Sequence, residues 1–481
     1  MKKINNSIAK CSVVLLLFAV FSCQDLTENP ISSLSPINYF DTPEQCESVY
    51  ANSLVVVYSQ WGLYGGGLDA TLISDQKEGG NFNYSNQVGY DYWRVHTSAL
   101  NSINGVLNAI NNFDKLGNYS IEVKNDIIAQ GRFLRAFNHF YLVRLFGKVP
   151  YFNENVNYVT TPLVPEDRLE ITAVYDKIEA DLLYASQNLG NYDASKPSKI
   201  NKWTAKALLA KVYLTRATAP VKDASYYVKS RDMADDVIKN GPFVFQATFA
   251  DVISKANRKN KEIIFGLNAS AANKSTTAKY QVPVELAGDG VSTVSVDWTN
   301  LYPDQPRKKA YIMLQWPKSK GNLATMIPYT ASKSQRPYVG KMTWPYYSYD
   351  EFKVQAGVDS DRAVLRLADV YLIYAEAQNM ADGSPNATAV NLVNKIIKRA
   401  NETTGTEELA TIGMTKEDFD TKVINERNFE LCFEGDRYYD LVRKHLFEAV
   451  LLQPGQLNGF AEYKYLFPIP GNEGIGQNPG Y

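Results

Sequence analysis

Histidine is close to missing from this chain. His96, His139 and His445 are the only three in 481 residues. Each falls inside a predicted helix and none stands at a metal-ligand spacing from another, which leaves little material for a metal centre or a histidine base. Cysteine is as scarce. Of four, Cys11 lies in an N-terminal apolar segment and Cys23 directly after it, so only Cys46 and Cys432 belong to the body, too few for a disulfide framework or a zinc site. No G-x-S-x-G, H-E-x-x-H or phosphate-binding loop occurs, and Gly65-Gly66-Gly67 lacks the Lys-Ser/Thr that would follow in one, so it reads as a flexible turn. No basic stripe is visible, which argues against nucleic acid as a partner. No second apolar run is long enough to cross a bilayer, and no cofactor or metal is expected.

What is present begins at the N-terminus. Lys2, Lys3 and Lys10 form a basic segment without acid, Val13 to Phe21 is almost continuously apolar, and Ser22-Cys23 follows. That layout is a signal peptide. A cysteine after small Ser22, with Val20 three residues before it, resembles a bacterial lipobox, with Phe21 bulkier than usual. Residues 1–22 are then removed, and Cys23 becomes the acylated first residue of a tether over 23–40. Acyl chains contribute about 0.8 kcal/mol per buried methylene. Loss of 1–22 leaves 47 basic against 51 acidic residues, net −4. The polar stretch 24–38, with Pro30 and Pro36, would reach up to about 50 Å when extended. Asp25 sets an acid next to the lipid, consistent with display on the outer leaflet.

Apolar spacing predicts helices from about residue 43, over 92–113 and over 125–146, the last stopped by Gly147 and Pro150. Others read at 172–189, 203–218, 227–239, 362–380, 385–400 (Ser384 as N-cap), 416–434 (Thr415 and Asp418 as a capping box) and 436–449. Short connectors and aromatic–small alternation (Trp203, Ala207, Ala210, Tyr213) suggest about four stacked, tetratricopeptide-like hairpins. Residues 41–240 make an N-terminal helical part. The rest, 241–481, is loop-rich with minor β structure over 241–360 and helical over 361–450, packed with the first part as one body.

The segment NERNFELCFEGDRYYDLVR carries Glu426, Glu430, Glu434, Asp436 and Asp440. Paired carboxylates can hydrolyse a glycosidic bond. Arg427, Arg437 and Arg443 alternate with them, however, as in a salt-bridged helical junction, and that is the reading preferred here.

Five blocks carry a wider resemblance: IAQGRFLRAFNHFYLVRLFGKVPYF (128–152), SKINKWTAKALLAKVYL (198–214), LRLADVYLIYAEA (365–377), INERNFELCFEGDRYYDLVR (424–443) and LFPIP…QNPGY (466–481). In this order they resemble the SusD/RagB family. The resemblance implies a mainly α fold, with four tetratricopeptide-like helix pairs and an irregular remainder. It also implies a non-enzymatic outer-membrane lipoprotein of Bacteroidetes that faces outward, captures oligosaccharide or polysaccharide, and caps a SusC-like TonB-dependent transporter. Capture of peptide or protein, as in RagB-like members, is the alternative. A purely structural lid and a glycosidase are more remote. Arg132, Arg135, Trp203, Arg366, Glu376, Glu426, Arg427, Glu430, Arg437 and Asp440 match frame positions of the family and are excluded from the ligand site.

A sugar offers C–H faces to aromatic rings and hydroxyls to Asp, Asn and Gln, and each hydrogen bond contributes about 1 kcal/mol net. The chain is rich in tyrosine, 32 against 21 phenylalanines. Two regions qualify as ligand-binding: an early loop with Asp75, Asn81, Tyr84 and Tyr90, and a later stretch with Trp298, Trp316, Tyr329, Trp344, Tyr346 and Tyr347. Tyr302 and Arg307 of the later stretch are taken as structural.

Overall fold

The computed structural model describes residues 39–63, 74–77, 82, 86–156, 160–254, 257, 259–267, 282–319, 321–341, 362–402, 408–451, 455–471 and 473–481. The signal segment, Cys23 and the tether up to residue 38 lie outside the described residues.

Among the described residues six helices come first: α1 (Pro43–Leu63), α2 (Asn86–Asn112), α3 (Ile121–Phe146), α4 (Ile171–Asn188), α5 (Lys202–Ala217) and α6 (Tyr226–Asn240). The short α7 (Phe249–Ile253), α8 (Val296–Leu301) and α9 (Pro306–Tyr311) follow in the irregular stretch. Then come α10 (Leu367–Asp382), α11 (Ala387–Asn401), α12 (Lys416–Glu430), α13 (Arg437–Lys444) and α14 (Phe447–Val450). The pairs α1/α2, α3/α4, α5/α6 and α10/α11 make the four expected hairpins, and α6 packs on α10 to join the last to the rest.

Side-chain contacts give the direction of each pair. Along α3, Asn125 meets Tyr184, Arg135 meets Asp181 and Phe140 meets Tyr175, so α4 runs antiparallel to it. In α5/α6, Lys206 meets Asp236, the Ala210 carbonyl accepts from Ser230, and Tyr213 meets Tyr226. The frame can pack this closely because small residues sit where helices cross. A Cβ on Gly131 would lie 2.3 Å from the Tyr50 hydroxyl and 2.8 Å from Leu107.

Caps explain the boundaries and their departures from expectation. Ser120 accepts from the Val123 amide, so α3 starts four residues earlier than apolar spacing predicts. It ends as predicted at Gly147, whose φ of 72° favours glycine. Asn386, not Ser384, caps α11 through the Ala389 amide. Thr415 caps α12 as predicted, but the helix stops at Glu430 rather than 434, and Phe433 (φ 63°) and Gly435 (φ 106°) turn the chain. Residues 362–366, expected to begin a helix, are a strand.

That strand is β6 (Arg362–Arg366), antiparallel to β1 (Ile263–Leu267). Between them lie β2 (Ile312–Met313), β3 (Gln315–Ser319), β4 (Asn322–Pro328) and β5 (Tyr338–Val339), with β2 paired to β5 and β3 to β4. The irregular stretch is thus an excursion from the helical frame, closed at its stem by β1–β6. Phe133 and Phe137 of α3 meet Phe265 of β1 edge-to-face at 5.3 Å, which seats the stem on the frame. One large apolar cluster fills the frame. Two smaller ones, around Trp298 and around Trp316, organise the excursion.

Candidate functional site

The carboxylates considered for glycosidic chemistry are built into two buried ion networks. In the first, Glu430 of α12 accepts from Arg307 (2.6 Å), Arg366 (2.7 Å) and Arg399 (2.8 Å). Glu426 pairs with Arg307, Glu262 with Arg366 and Arg399, and Glu434 with Arg366 and Lys341. Four cations and four carboxylates are thereby matched. The excursion supplies Arg307 and Lys341 and the helical frame most of the rest, so the network bolts one to the other. In the second, Arg427 bridges Asp369 and Asp440, Arg443 bridges Asp440 and Glu376, and Lys211 joins Asp369 to Asp436.

Burial opposes ionisation of Glu430, but Arg399, Arg366 and Arg307 outweigh it and hold the carboxyl well below the usual range. Burial is likewise outweighed at Glu376, where Arg443 and Lys444 bring the value down to about 2. A carboxylate locked in this way neither donates nor receives a proton near neutrality.

Two of the three histidines are buried packing groups. His139 Nδ1 donates to the Arg135 carbonyl (2.9 Å) and Nε2 accepts from the Phe152 amide (2.9 Å), which fixes one neutral tautomer, and the ring stacks on Tyr151 at 4.0 Å. His96 donates to Asn138 and stacks on Tyr141. Burial pushes His96 down to about 4 and His139 to about 3. Both folded-state values lie below the unfolded one, so their contribution is complete above about pH 6.5 and is lost as pH falls toward 4, by at most about 1.4 kcal/mol per pH unit for each. Burial shifts Asp420 and Glu426 upward, and these work in the opposite sense. The imidazole resonances are therefore the direct check: those of His96 and His139 should not move between pH 7 and 5.5, and titration of either near 6.5 would contradict this packing. Cys46 and Cys432 are buried free thiols, pushed up to about 12 by burial. Among the described residues no cluster of His, Cys, Asp and Glu could hold a metal ion, and no helix is long and apolar enough to cross a membrane.

The structure brings Asp75 and Trp298 together, but for the fold. Asn428 of α12 accepts from Gln76 Nε2 (2.7 Å) and from Trp298 Nε1 (3.2 Å), and donates to Asp75 (3.2 Å). Arg437 closes on Asp75 from the other side at 2.7 and 2.6 Å. Both oxygens of Asp75 are engaged, which removes it as a free acceptor for a sugar hydroxyl. Trp298 is 2% exposed and packs edge-to-face on Tyr302 and Phe433. Trp316 is 0% exposed, donates to Glu285 (3.2 Å) and packs on Tyr338. Neither indole is the loop-borne platform that composition suggests, because α12 and the turn after it cover Trp298 and Tyr338 of β5 covers Trp316. Tyr302 and Arg307 are structural, as expected.

Tyr329 is half-buried where β4 runs into a short turn, against the Trp316 cluster, and Tyr90 is half-buried on α2. Asn81, Tyr84, Trp344, Tyr346 and Tyr347 lie outside the described residues. Gln76, Glu285 and Asn428, which hold these regions in place, carry no distinguishing sequence signal. Among the described residues two clefts open elsewhere. One of about 770 Å³ lies beside Arg135, Tyr151, Glu154, Lys177 and Asp181, the other of about 620 Å³ beside Arg307, Lys422 and Glu426. Neither contains a sequence-predicted ligand residue.

The sequence and the fold both match known proteins. Residues 261–481 match the family model described as "SusD family", and residues 48–214 the one described as "Starch-binding associating with outer membrane". The chain belongs to the SusD/RagB family. Among characterised relatives, the SusD-like protein P2 of Formosa agariphila is 29% identical over 538 residues, covering 98% of this chain and 99% of that protein. A SusD homolog from Bacteroides thetaiotaomicron superposes with a TM-score of 0.76 at 22% identity, covering 93% of this chain and 98% of the other. A laminarin-binding SusD-like protein does so with a TM-score of 0.69 at 21% identity, covering 92% and 100%. These solved structures share the mainly helical, tetratricopeptide-like architecture.

Proposed function

We propose that this SusD-family protein is a cell-surface glycan-binding lipoprotein, anchored in the outer membrane through Cys23, that delivers oligosaccharide to a SusC-like TonB-dependent transporter and caps it. The observation that carries the reading is that two family models, one described as starch-binding and outer-membrane-associated, divide the body of the chain between them. The structure is compatible with binding rather than turnover: the acid-rich segment and two of the histidines are committed to packing and ion pairing. The family resemblance and the tyrosine-rich composition favour a glycan, and Tyr329 is a candidate ring of the later stretch that is described and not fully buried. Capture of peptide is the second reading.

Purification of the full-length protein from outer membranes of its own cells tests the partnership. A large barrel transporter should co-purify with it, and Cys23→Ala should release the protein from the membrane fraction. Elution of bound peptides instead of sugars would favour the second reading, and absence of any barrel partner would refute the proposed assembly.

A further inference from the structure

The charge of the excursion differs from that of the rest of the molecule. Between Ile263 and Tyr349 stand ten basic residues against four acidic ones, net +6, in a chain whose net charge is −1. From Gln305 to Tyr349 there is no acid at all. The bias is scattered over strands and loops, so it forms no stripe along the chain. Two of its cations, Arg307 and Lys341, are neutralised in the buried network. Among the described residues, Lys318 and Lys333 have no ion pair with a carboxylate. Glu285 is already engaged, accepting from Trp316 Nε1 (3.2 Å) and the Lys333 amide (2.8 Å).

Pairing collects these positions. Lys318 lies on β3, and Lys333 in the turn after β4, beside Tyr329; both side chains are exposed, and no carboxylate among the described residues stands within 4.0 Å of either ammonium. Lys77 joins the same unit from the early loop. It bridges to Val294, whose neighbour Thr293 bridges to Tyr338, and Tyr338 is the ring on which Trp316 packs. Lys77 is half-buried, and its near acid, Asp75, is committed to Arg437 and Asn428.

Cations without paired carboxylates, carried on one connected unit of a net-acidic protein, raise the positive potential there and concentrate anions at that surface. We propose that the glycan recognised at this face is a polyanion, a polysaccharide bearing carboxylates or sulfates, with Lys333 near Tyr329, Lys318 toward the far end of the β3–β4 hairpin and Lys77 on the adjoining bridge meeting its charges along its length. The proposal rests on the glycan-binding reading above and narrows it.

Affinity electrophoresis of the purified protein in gels containing polygalacturonate, dextran sulfate, dextran, laminarin or polyglutamate tests it. One anionic polysaccharide should bind at least about tenfold more tightly than the neutral polymers at about 0.05 M salt, and this advantage should shrink about tenfold by about 0.3 M as the charges are screened. Lys318→Gln with Lys333→Gln should weaken that binding at least about fivefold, and Lys77→Gln should weaken it further, while exposed Lys398→Gln on α11 changes it less than about twofold. Melting curves establish that each variant is folded. Carboxylated and sulfated ligands are told apart by which polymer retards the protein. Equal, salt-insensitive binding of a neutral polymer would overturn the polyanion proposal and leave the glycan reading standing. Equal retention by polyglutamate would overturn it as charge attraction without sugar recognition. No retention by any polysaccharide would refute the glycan reading itself.

Discussion

Glu430→Gln is expected to lower folding stability by about 3–5 kcal/mol, the usual cost of removing one partner from a buried ion network. Three guanidiniums converge on this one carboxylate, at 2.6, 2.7 and 2.8 Å. A glutamine keeps the shape and one acceptor oxygen, but it leaves three buried cations with one negative charge fewer. The effect should reach both the excursion and the helical frame, because Arg307 comes from the excursion, Arg366 from the stem strand β6 and Arg399 from α11. Urea unfolding followed by far-ultraviolet circular dichroism checks it, with exposed Glu448→Gln as a control expected within about 0.5 kcal/mol of the parent. Equal midpoints for the two variants would mean that the network does not bear on stability.

Trp316→Ala should likewise act on the fold rather than on a ligand. The indole is 0% exposed, and its removal opens a cavity among Val282, Leu286, Met313 and Tyr338 while leaving Glu285 without its indole donor. Loss of a buried tryptophan costs about 3–5 kcal/mol. The cluster is separate from the large one in the frame, so the loss should appear first as local opening of the excursion, with faster proteolysis between β1 and β6. Tyr329→Ala is the contrast: the ring is half-buried at the edge of the same cluster, and its loss should weaken glycan binding with a much smaller change in protease resistance. A Trp316→Ala protein that resists protease like the parent yet no longer binds glycan would reverse these assignments.

Local chemistry made the frame legible. Thr415 and Asp418, Gly147, and the apolar spacing of 125–146 act over one to six turns of chain, and helices stand where those signals lie. The alternation of acid and arginine over 424–443 was legible as a salt-bridged junction for the same reason, although the partners that complete it, Asp369, Glu376 and Arg399, come from other helices. The candidate site was less legible. An aromatic residue in a proline-rich stretch looks the same in sequence whether a strand covers it or not. Trp316 is buried because β5, some twenty residues on, brings Tyr338 over it. Asp75 is engaged because Arg437, 362 residues away, reaches it. Such pairings are non-local, and no periodicity announces them.

The central claim is that this protein binds carbohydrate. Calorimetric titration of the purified protein against soluble polysaccharides, neutral and anionic, tests it most directly. Saturable heat is expected with at least one of them, reduced in Tyr329→Ala. Heat with oligopeptides and none with any polysaccharide would contradict it.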